Sequence, residues 1–346
     1  MNPGKDKSIG YWLLTGCFLI FCMVIIGGIT RLTGSGLSIT EWKPVMGAIP
    51  PMNDTEWQDA FEKYKQIPQF QKLNSHFELD DFKSIFWWEF IHRLLGRLIG
   101  VVFIVPFAWF YFKKKFNNAS LKKVLFLFLL GGLQGVIGWL MVKSGLTERT
   151  SVSHIRLAIH LITAFITFGF TFYYALEILS EDAPKNSSTS VNRLVKFLLI
   201  LTTVQIIYGA LVAGMHAGKI YNTFPLMNGK IIPSGRDYLT PGWTNLFDNP
   251  IAVQFIHRLL ALIITILAFV LYYISKNRNH ILNQKNGVLF LLSSLTIQII
   301  LGILTLLTFV NIPLALLHQT GAFILFSSCV YVMFVYRKGS TASGVE

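Results

Sequence analysis

Apolar residues run along this chain in stretches that end at clusters of charged or turn-forming residues. A helix crossing about 30 Å of hydrocarbon needs roughly 20 such residues. That rule predicts eight membrane spans, near residues 11–30, 85–112, 124–142, 154–178, 197–215, 250–274, 288–310 and 312–336. The fold class expected is therefore an all-α polytopic membrane protein. Composition agrees: 346 residues with 53% hydrophobic, 14% charged and a mean hydropathy of +0.54 do not describe a soluble domain.

The net charge of +13 would point to nucleic acid in a soluble chain, but the charge gathers in short connections, as the positive-inside rule expects. The connection 113–123 holds Lys113, Lys114, Lys115, Lys122 and Lys123, and 275–287 holds Lys276, Arg278 and Lys285, neither with an acid. Both loops are expected to face the cytoplasm. The long loop 31–84 has six bases and eight acids, a net of −2, which suits the opposite face. With eight crossings both termini lie inside. The first span has no small-residue cleavage site before Arg31 and reads as a retained helix. No Arg- and Ser-rich transit segment precedes it, which favours a bacterial inner (cytoplasmic) membrane. Cys17, Cys22 and Cys329 fall inside spans, so they read as small apolar residues, not as a disulfide framework.

Internal similarity organises the spans. Phe90-Ile91-His92-Arg93-Leu94-Leu95 returns unchanged as Phe255-Ile256-His257-Arg258-Leu259-Leu260. Ile25-Ile26-Gly27-Gly28 is echoed by Ile206-Ile207-Tyr208-Gly209, and each is followed by a Gly-bearing outer loop ending in Ile-Pro, at 49–50 and 232–233. Leu133-Gln134-Gly135-Val136-Ile137-Gly138 is answered by Ile297-Gln298-Ile299-Ile300-Leu301-Gly302, and Leu157-Ala158-Ile159-His160 by Ala315-Leu316-Leu317-His318. The chain thus reads as two tandem four-helix units, 1–179 and 193–346, joined by a cytoplasmic linker at 180–192. Equivalent elements lie four helices apart, so the copies share one orientation, about a pseudo-two-fold axis along the membrane normal.

Each unit supplies one histidine near the start of its second span and one near the start of its fourth. Both spans run inward from the outer face, so the two sit at similar depth. Helical bundles build cofactor sites from facing side chains, and an iron porphyrin takes one or two axial imidazoles on opposite faces. The pairs His92 with His160 and His257 with His318 therefore imply two haem-sized sites, against the alternative of hydrogen-bonded core histidines. Ionisable groups inside a membrane are costly and functional by default, which favours the sites. His154 lies six residues before His160, roughly 240° around the helix at about 100° per residue, and cannot share its face. His76, His154 and His216 at span ends or outer loops, and His280 in an inner loop, read as surface or interfacial; His76 and His154 could also line an entrance.

Three residues before the repeated histidines stand Glu89 and Gln254, so only the first unit carries a carboxylate there. Glu89 lies about 60° from His92 on one helix face, one turn nearer the outer surface. From there it could reach the porphyrin edge, hydrogen-bond the ligand, act as acid or base, or stabilise positive charge on a substrate carbon; the rival reading is a salt bridge to Arg93 or Arg97. Arg93, Arg258 and Arg156 suit the propionates of a haem because the guanidinium fork pairs carboxylates with two hydrogen bonds. Snorkelling to lipid headgroups is their alternative.

These residues amount to a family resemblance. Glu89-Phe90-Ile91-His92-Arg93, the run Gly27-Gly28-Ile29-Thr30-Arg31-Leu32-Thr33-Gly34-Ser35-Gly36-Leu37-Ser38 and Tyr221-Asn222-Thr223-Phe224-Pro225-Leu226-Met227 resemble haem A synthase, over about residues 10–336. The resemblance implies an oxidoreductase that converts the C8 methyl of haem O to a formyl group, giving the haem A of terminal oxidases. It implies that His92 and His160 flank the iron of substrate haem O, that His257 and His318 ligate a resident haem b, and that Glu89 is the functional carboxylate. Haem O would come from a haem O synthase and electrons from a separate donor, and a homo-oligomer is admissible; nucleic acid is not expected. Some bacterial members carry an outer-loop cysteine pair, which this chain lacks, so it resembles the alphaproteobacterial and mitochondrial branch. Two rivals remain: a bis-histidine cytochrome b-type electron carrier, which leaves Glu89 unexplained, and a parallel-repeat transporter, which would bind no pigment.

Overall fold

The computed structural model describes residues 6–42, 46–147, 149–180, 189–233, 242–276 and 282–337. Among them run ten α-helices: α1 (Lys7–Leu32), α2 (Asp54–Lys65), α3 (Pro68–Leu73), α4 (Leu79–Phe112), α5 (Asn118–Lys143), α6 (His154–Leu179), α7 (Thr189–Gly214), α8 (Pro250–Lys276), α9 (Leu282–Leu307) and α10 (Ile312–Val335). All but α2 and α3 are long and apolar enough to cross a membrane, so each of the eight expected spans is present. This is a multi-pass all-helical membrane protein. The helices overrun the expected spans where polar turns continue them: α5 starts at Asn118 because Asn117 and Ser120 form a reciprocal cap. The α7 helix starts at Thr189, inside the expected linker, while 181–188, Arg278 and His280 lie outside the described residues.

Asp6 caps α1 by accepting from the Ser8 backbone amide at 2.8 Å. Lys115, just beyond α4, reaches the same carboxylate at 2.6 Å. The Lys115 side chain, then the Ser8 hydroxyl and amide, hold the Asp6 carboxyl down at about 2, from an ordinary value of 3.8. A lowered folded value means that this tie is complete above the ordinary carboxylate range and is lost as pH falls from there through about 2. Asp6→Asn is expected to speed amide exchange in the first turn of α1 while leaving later turns unchanged, which hydrogen-exchange mass spectrometry reads directly.

The stretch 31–84, expected as loop, contains α2, α3 and the N-terminal end of α4. Asn53 caps α2 by accepting from the Glu56 amide at 2.9 Å. Trp57, Phe61 and Tyr64 recur at helical spacing on one face and are buried against Phe82, Phe86 and Phe90 of α4. Aromatic packing sustains this small core: Trp57 meets Phe86 at 4.9 Å and Phe61 stacks on Phe82 at 5.2 Å, centroid to centroid. Leu37, 1% exposed, belongs to the same cluster and pins the loop that follows α1.

The chain divides into two compact units, Met1–Thr171 and Phe172–Glu346. The division falls within α6 and not at its end, because Tyr173 and Leu176 pack on the core of the second unit. In that unit α7 packs on α8, α8 on α9, α9 on α10, and α10 back on α7, a closed ring. Its core is aliphatic, with Leu198, Leu271 and Leu291 almost wholly buried. In the first unit α1 packs closely on α4 and α4 meets α5. The α5 and α6 helices are tied by polar side chains, Gln134 to His160 among them.

Candidate functional site

The four histidines of the sequence pattern share one setting. His92 on α4 faces Gly27 of α1, and His160 on α6 faces Gly138 of α5. In the second unit His257 on α8 faces Gly209 of α7, and His318 on α10 faces Gly302 of α9. A Cβ built on these glycines would stand 3.0, 2.9, 3.2 and 2.8 Å from the respective imidazole Cε1, so no larger residue fits without moving the ring. The contact also corrects the repeat register. Gly27, not Gly28, is the counterpart of Gly209.

All four imidazoles are partly exposed. Nδ1 of His92, His257 and His318 is nevertheless buried and has no hydrogen-bond partner. Within each unit the two rings lie near enough for charge on one to act on the other, His160 on His92 and His318 on His257. Glutamine side chains reach the histidine helices: Gln134 Nε2 donates to the His160 carbonyl at 2.8 Å, and Gln205 Nε2 donates to the His257 carbonyl at 3.0 Å.

Glu89 is 3% exposed and wholly committed to hydrogen bonds. Its Oε2 accepts from the Ser38 hydroxyl at 2.8 Å and the Ile39 amide at 2.9 Å. Its Oε1 accepts from Arg93 Nη2 at 2.6 Å and Nε at 3.1 Å. The salt bridge to Arg93 considered from sequence is therefore present. Arg93 donates further to the Ile39 carbonyl at 2.8 Å and the Glu41 carbonyl at 3.0 Å, and its guanidinium lies 5.5 Å from the Trp42 ring. Together Glu89, three residues before His92, and Arg93, directly after it, clamp the loop after α1 across α4. A cavity of about 60 Å³ beside the clamp is lined by Glu41, Trp42, Arg93, Trp139 and Lys143.

The second unit repeats the clamp without the charge. Arg258 donates to the Tyr221 and Thr223 carbonyls at 3.0 and 2.9 Å, and Gln254 Nε2 donates to Tyr221 at 3.0 Å. Arg258 Nε and Gln254 Oε1, the atoms matching the Glu89–Arg93 pair, are both buried without a partner. Arg156 is exposed and donates to the Leu140 carbonyl at 2.6 Å. His76 lies exposed between α3 and α4, His154 opens α6, and His216 follows α7, so none joins a pair.

The family model described as cytochrome oxidase assembly protein matches residues 10–330. The chain belongs to that family. A protein of Rhodospirillum centenum named haem A synthase is 45% identical over 98% of this chain and 91% of its own length. Proteins of the same name from Nitrosomonas eutropha and Flavobacterium psychrophilum are 44% and 43% identical, covering 95% and 96% of this chain and 93% and 99% of their own.

For this member of the family, the donor set can be tested against an iron porphyrin. Among the described residues no group of three or more His, Cys, Asp or Glu side chains is gathered as a metal cage. Paired imidazoles suit a metal whose remaining positions are filled by a macrocycle. The partnerless Nδ1 of His92, His257 and His318 lies on the ring edge that faces the glycine, so the nitrogen left for a metal is Nε2, which suits an axial ligand. The residues fit the group. What sequence reading missed was the four glycines facing the rings. The recurrence of Gly138 and Gly302 in matched motifs was the available signal.

Proposed function

We propose that this chain is a haem A synthase, an oxidoreductase that converts the C8 methyl of haem O to a formyl group. The observation that carries this reading is the inequality of two alike sites. Both units seat two histidines against glycines, but only the first places a carboxylate, Glu89, in the clamp beside them. His92 and His160 are the proposed holders of substrate haem O, and His257 and His318 of a resident haem b, which when bound supplies one-electron transfer. Arg93 and Arg156 lie near the outer end of the first pair and Arg258 near the second. The lining of the small cavity by Arg93 and Lys143 supports that end as the mouth for haem propionates.

Glu89 has no lone pair to spare for a substrate proton while the clamp is closed, since four donors occupy its oxygens. Of the roles open to it, holding the loop and setting a fixed negative charge toward the substrate fit best. The clamp keeps Ser38 and Ile39 over α4 and thereby limits water at the outer end of the site. The proposed setting is a bacterial inner membrane with both termini inside, haem O arriving from its synthase and electrons from a separate donor.

The test is the pigment. Purified protein is expected to be red and to yield haem b together with haem O or haem A on extraction. His257→Ala or His318→Ala should remove haem b and leave haem O binding in place. Colourless protein would overturn the reading in favour of transport.

A further inference from the structure

Arg31 ends α1 with a charge that neither the clamp nor the loops use. Among the described residues its guanidinium makes no hydrogen bond or ion pair, and no carboxylate lies near enough to offset it. An unpaired arginine in a membrane helix is costly and marks function by default. Snorkelling to lipid headgroups is the plain alternative, and the direction of the side chain's position on α1 decides against it. Leu13 stands about five full turns before Arg31, so the two share one direction, and Val24 is about 20° away. Both are buried, Leu13 at 1% and Val24 at 5% exposure, as are Ile9, Cys17 and Thr30 on either side of them. Arg31 therefore lies on the face that α1 turns to α4, and it is itself half-buried.

That face carries the seat of His92. Gly27, one turn before Arg31 and about 40° around the helix, stands opposite the imidazole, while Met23 meets Gly96 and Thr30 Oγ1 lies 3.4 Å from the Trp88 carbonyl. The two helices thus run antiparallel, which puts Arg31 on the Glu89 side of His92. Glu89 is already filled by Ser38, Ile39 and Arg93 and leaves Arg31 free. The turn beyond Arg31 is fixed, since Gln69 Nε2 donates to the Gly34 carbonyl at 2.8 Å and the Gly34 amide to the Arg31 carbonyl at 3.3 Å. The second unit has no such cation. Ala213 follows Gly209 at the matching place.

A fixed cation without its own anion, one turn from an imidazole seat, calls for an anionic group at the edge of whatever the imidazole holds. The guanidinium fork fits a carboxylate with two hydrogen bonds. The other arginines near the first pair are partly spent, Arg93 on Glu89 and two carbonyls, Arg156 on the Leu140 carbonyl. We infer, on the haem reading above, that Arg31 is a substrate-binding residue of the first unit alone and pairs with a propionate of the porphyrin held between His92 and His160.

The experiment titrates the full chain in detergent, carrying haem b, with haem O and with its dimethyl ester, whose propionates bear no charge. Soret difference spectra follow the binding. Arg31→Gln should weaken haem O by about tenfold or more, the range of a hydrogen bond to a charged group. The affinity for the ester should not change, so the preference for the acid shrinks by that factor. Arg31→Met keeps the apolar stem and gives the same reading where the glutamine variant does not fold, which the retained haem b spectrum reports. A wild-type preference in the variant overturns the inference and leaves Arg31 to lipid. An equal loss for acid and ester also overturns it and leaves Arg31 to the packing of α1 on α4. If His92→Ala and His160→Ala bind haem O as the wild type does, or the wild type takes up neither form, the haem reading itself fails, which is a separate outcome.

Discussion

Glu89→Ala is expected to leave haem b at its full level and to lower haem A formation by about a hundredfold, the usual scale for removing one preorganised electrostatic group. Three changes follow from the one substitution. The carboxylate three residues before His92 disappears; Arg93, whose side chain is only 12% exposed, loses its counter-ion; and Ser38 and Ile39 lose their shared acceptor. Breaking a buried pair by deleting one partner typically costs about 3–5 kcal/mol. The loop that follows α1 should therefore loosen, and exchange of the Ile39 amide should rise with it. Glu89→Gln separates charge from shape. Gln254 already holds the equivalent loop through Tyr221, so the glutamine variant is expected to recover much of the amide protection at Ile39 while haem A formation stays low. Haem extraction and difference spectra check both. Wild-type haem A from Glu89→Ala would sink the assignment, and haem A restored in step with the loop by Glu89→Gln would reduce Glu89 to a clamp.

Much of this architecture is legible in the sequence because the membrane imposes a strong, local rule. An apolar run long enough to cross must be helical to satisfy its backbone, so the eight spans follow from hydropathy. The four histidines stand out by the same rule, since an intramembrane imidazole repeated in register has few structural excuses, and they are the basis of the proposed sites. Weaker signals fared worse. Trp57, Phe61 and Tyr64 mark an amphipathic helix behind an Asn53 cap, yet between long apolar runs they read as loop. The register of Gly27 against Gly209 is ambiguous in Ile-Ile-Gly-Gly, and only the ring facing each glycine decides it. The Glu89–Arg93 pair could be foreseen from spacing four residues apart on a helix. The grip of Arg93 on the Ile39 and Glu41 carbonyls could not, because it joins positions more than 50 residues apart through backbone atoms that carry no sequence identity.

Filling one glycine seat is expected to empty one site and spare the other. Gly302→Val places its first carbon 2.8 Å from His318 Cε1, and two methyl groups beyond that have no room unless the ring swings away. A displaced imidazole cannot meet an iron held by His257, so this variant should lose haem b while the first unit still takes haem O. Gly138→Val should do the reverse, displacing His160, whose ring stands 2.9 Å from the same position, and abolishing haem O binding with haem b intact. Gly135 is the internal control. It lies one turn from Gly138 on α5, and a Cβ there meets nothing within 4 Å. Gly135→Ala should keep both haems and, if anything, favour the helix by up to about 1 kcal/mol. Separate quantification of haem b and haem O in the three purified variants distinguishes a steric seat from a general intolerance of larger residues on these helices. Loss of both haems in either valine variant would mean that the glycines serve helix packing and not the rings. Retention of haem b in Gly302→Val would mean that His318 is not held where a ligand must be. The glycines matter for the space they leave, and each seat should act on its own histidine alone.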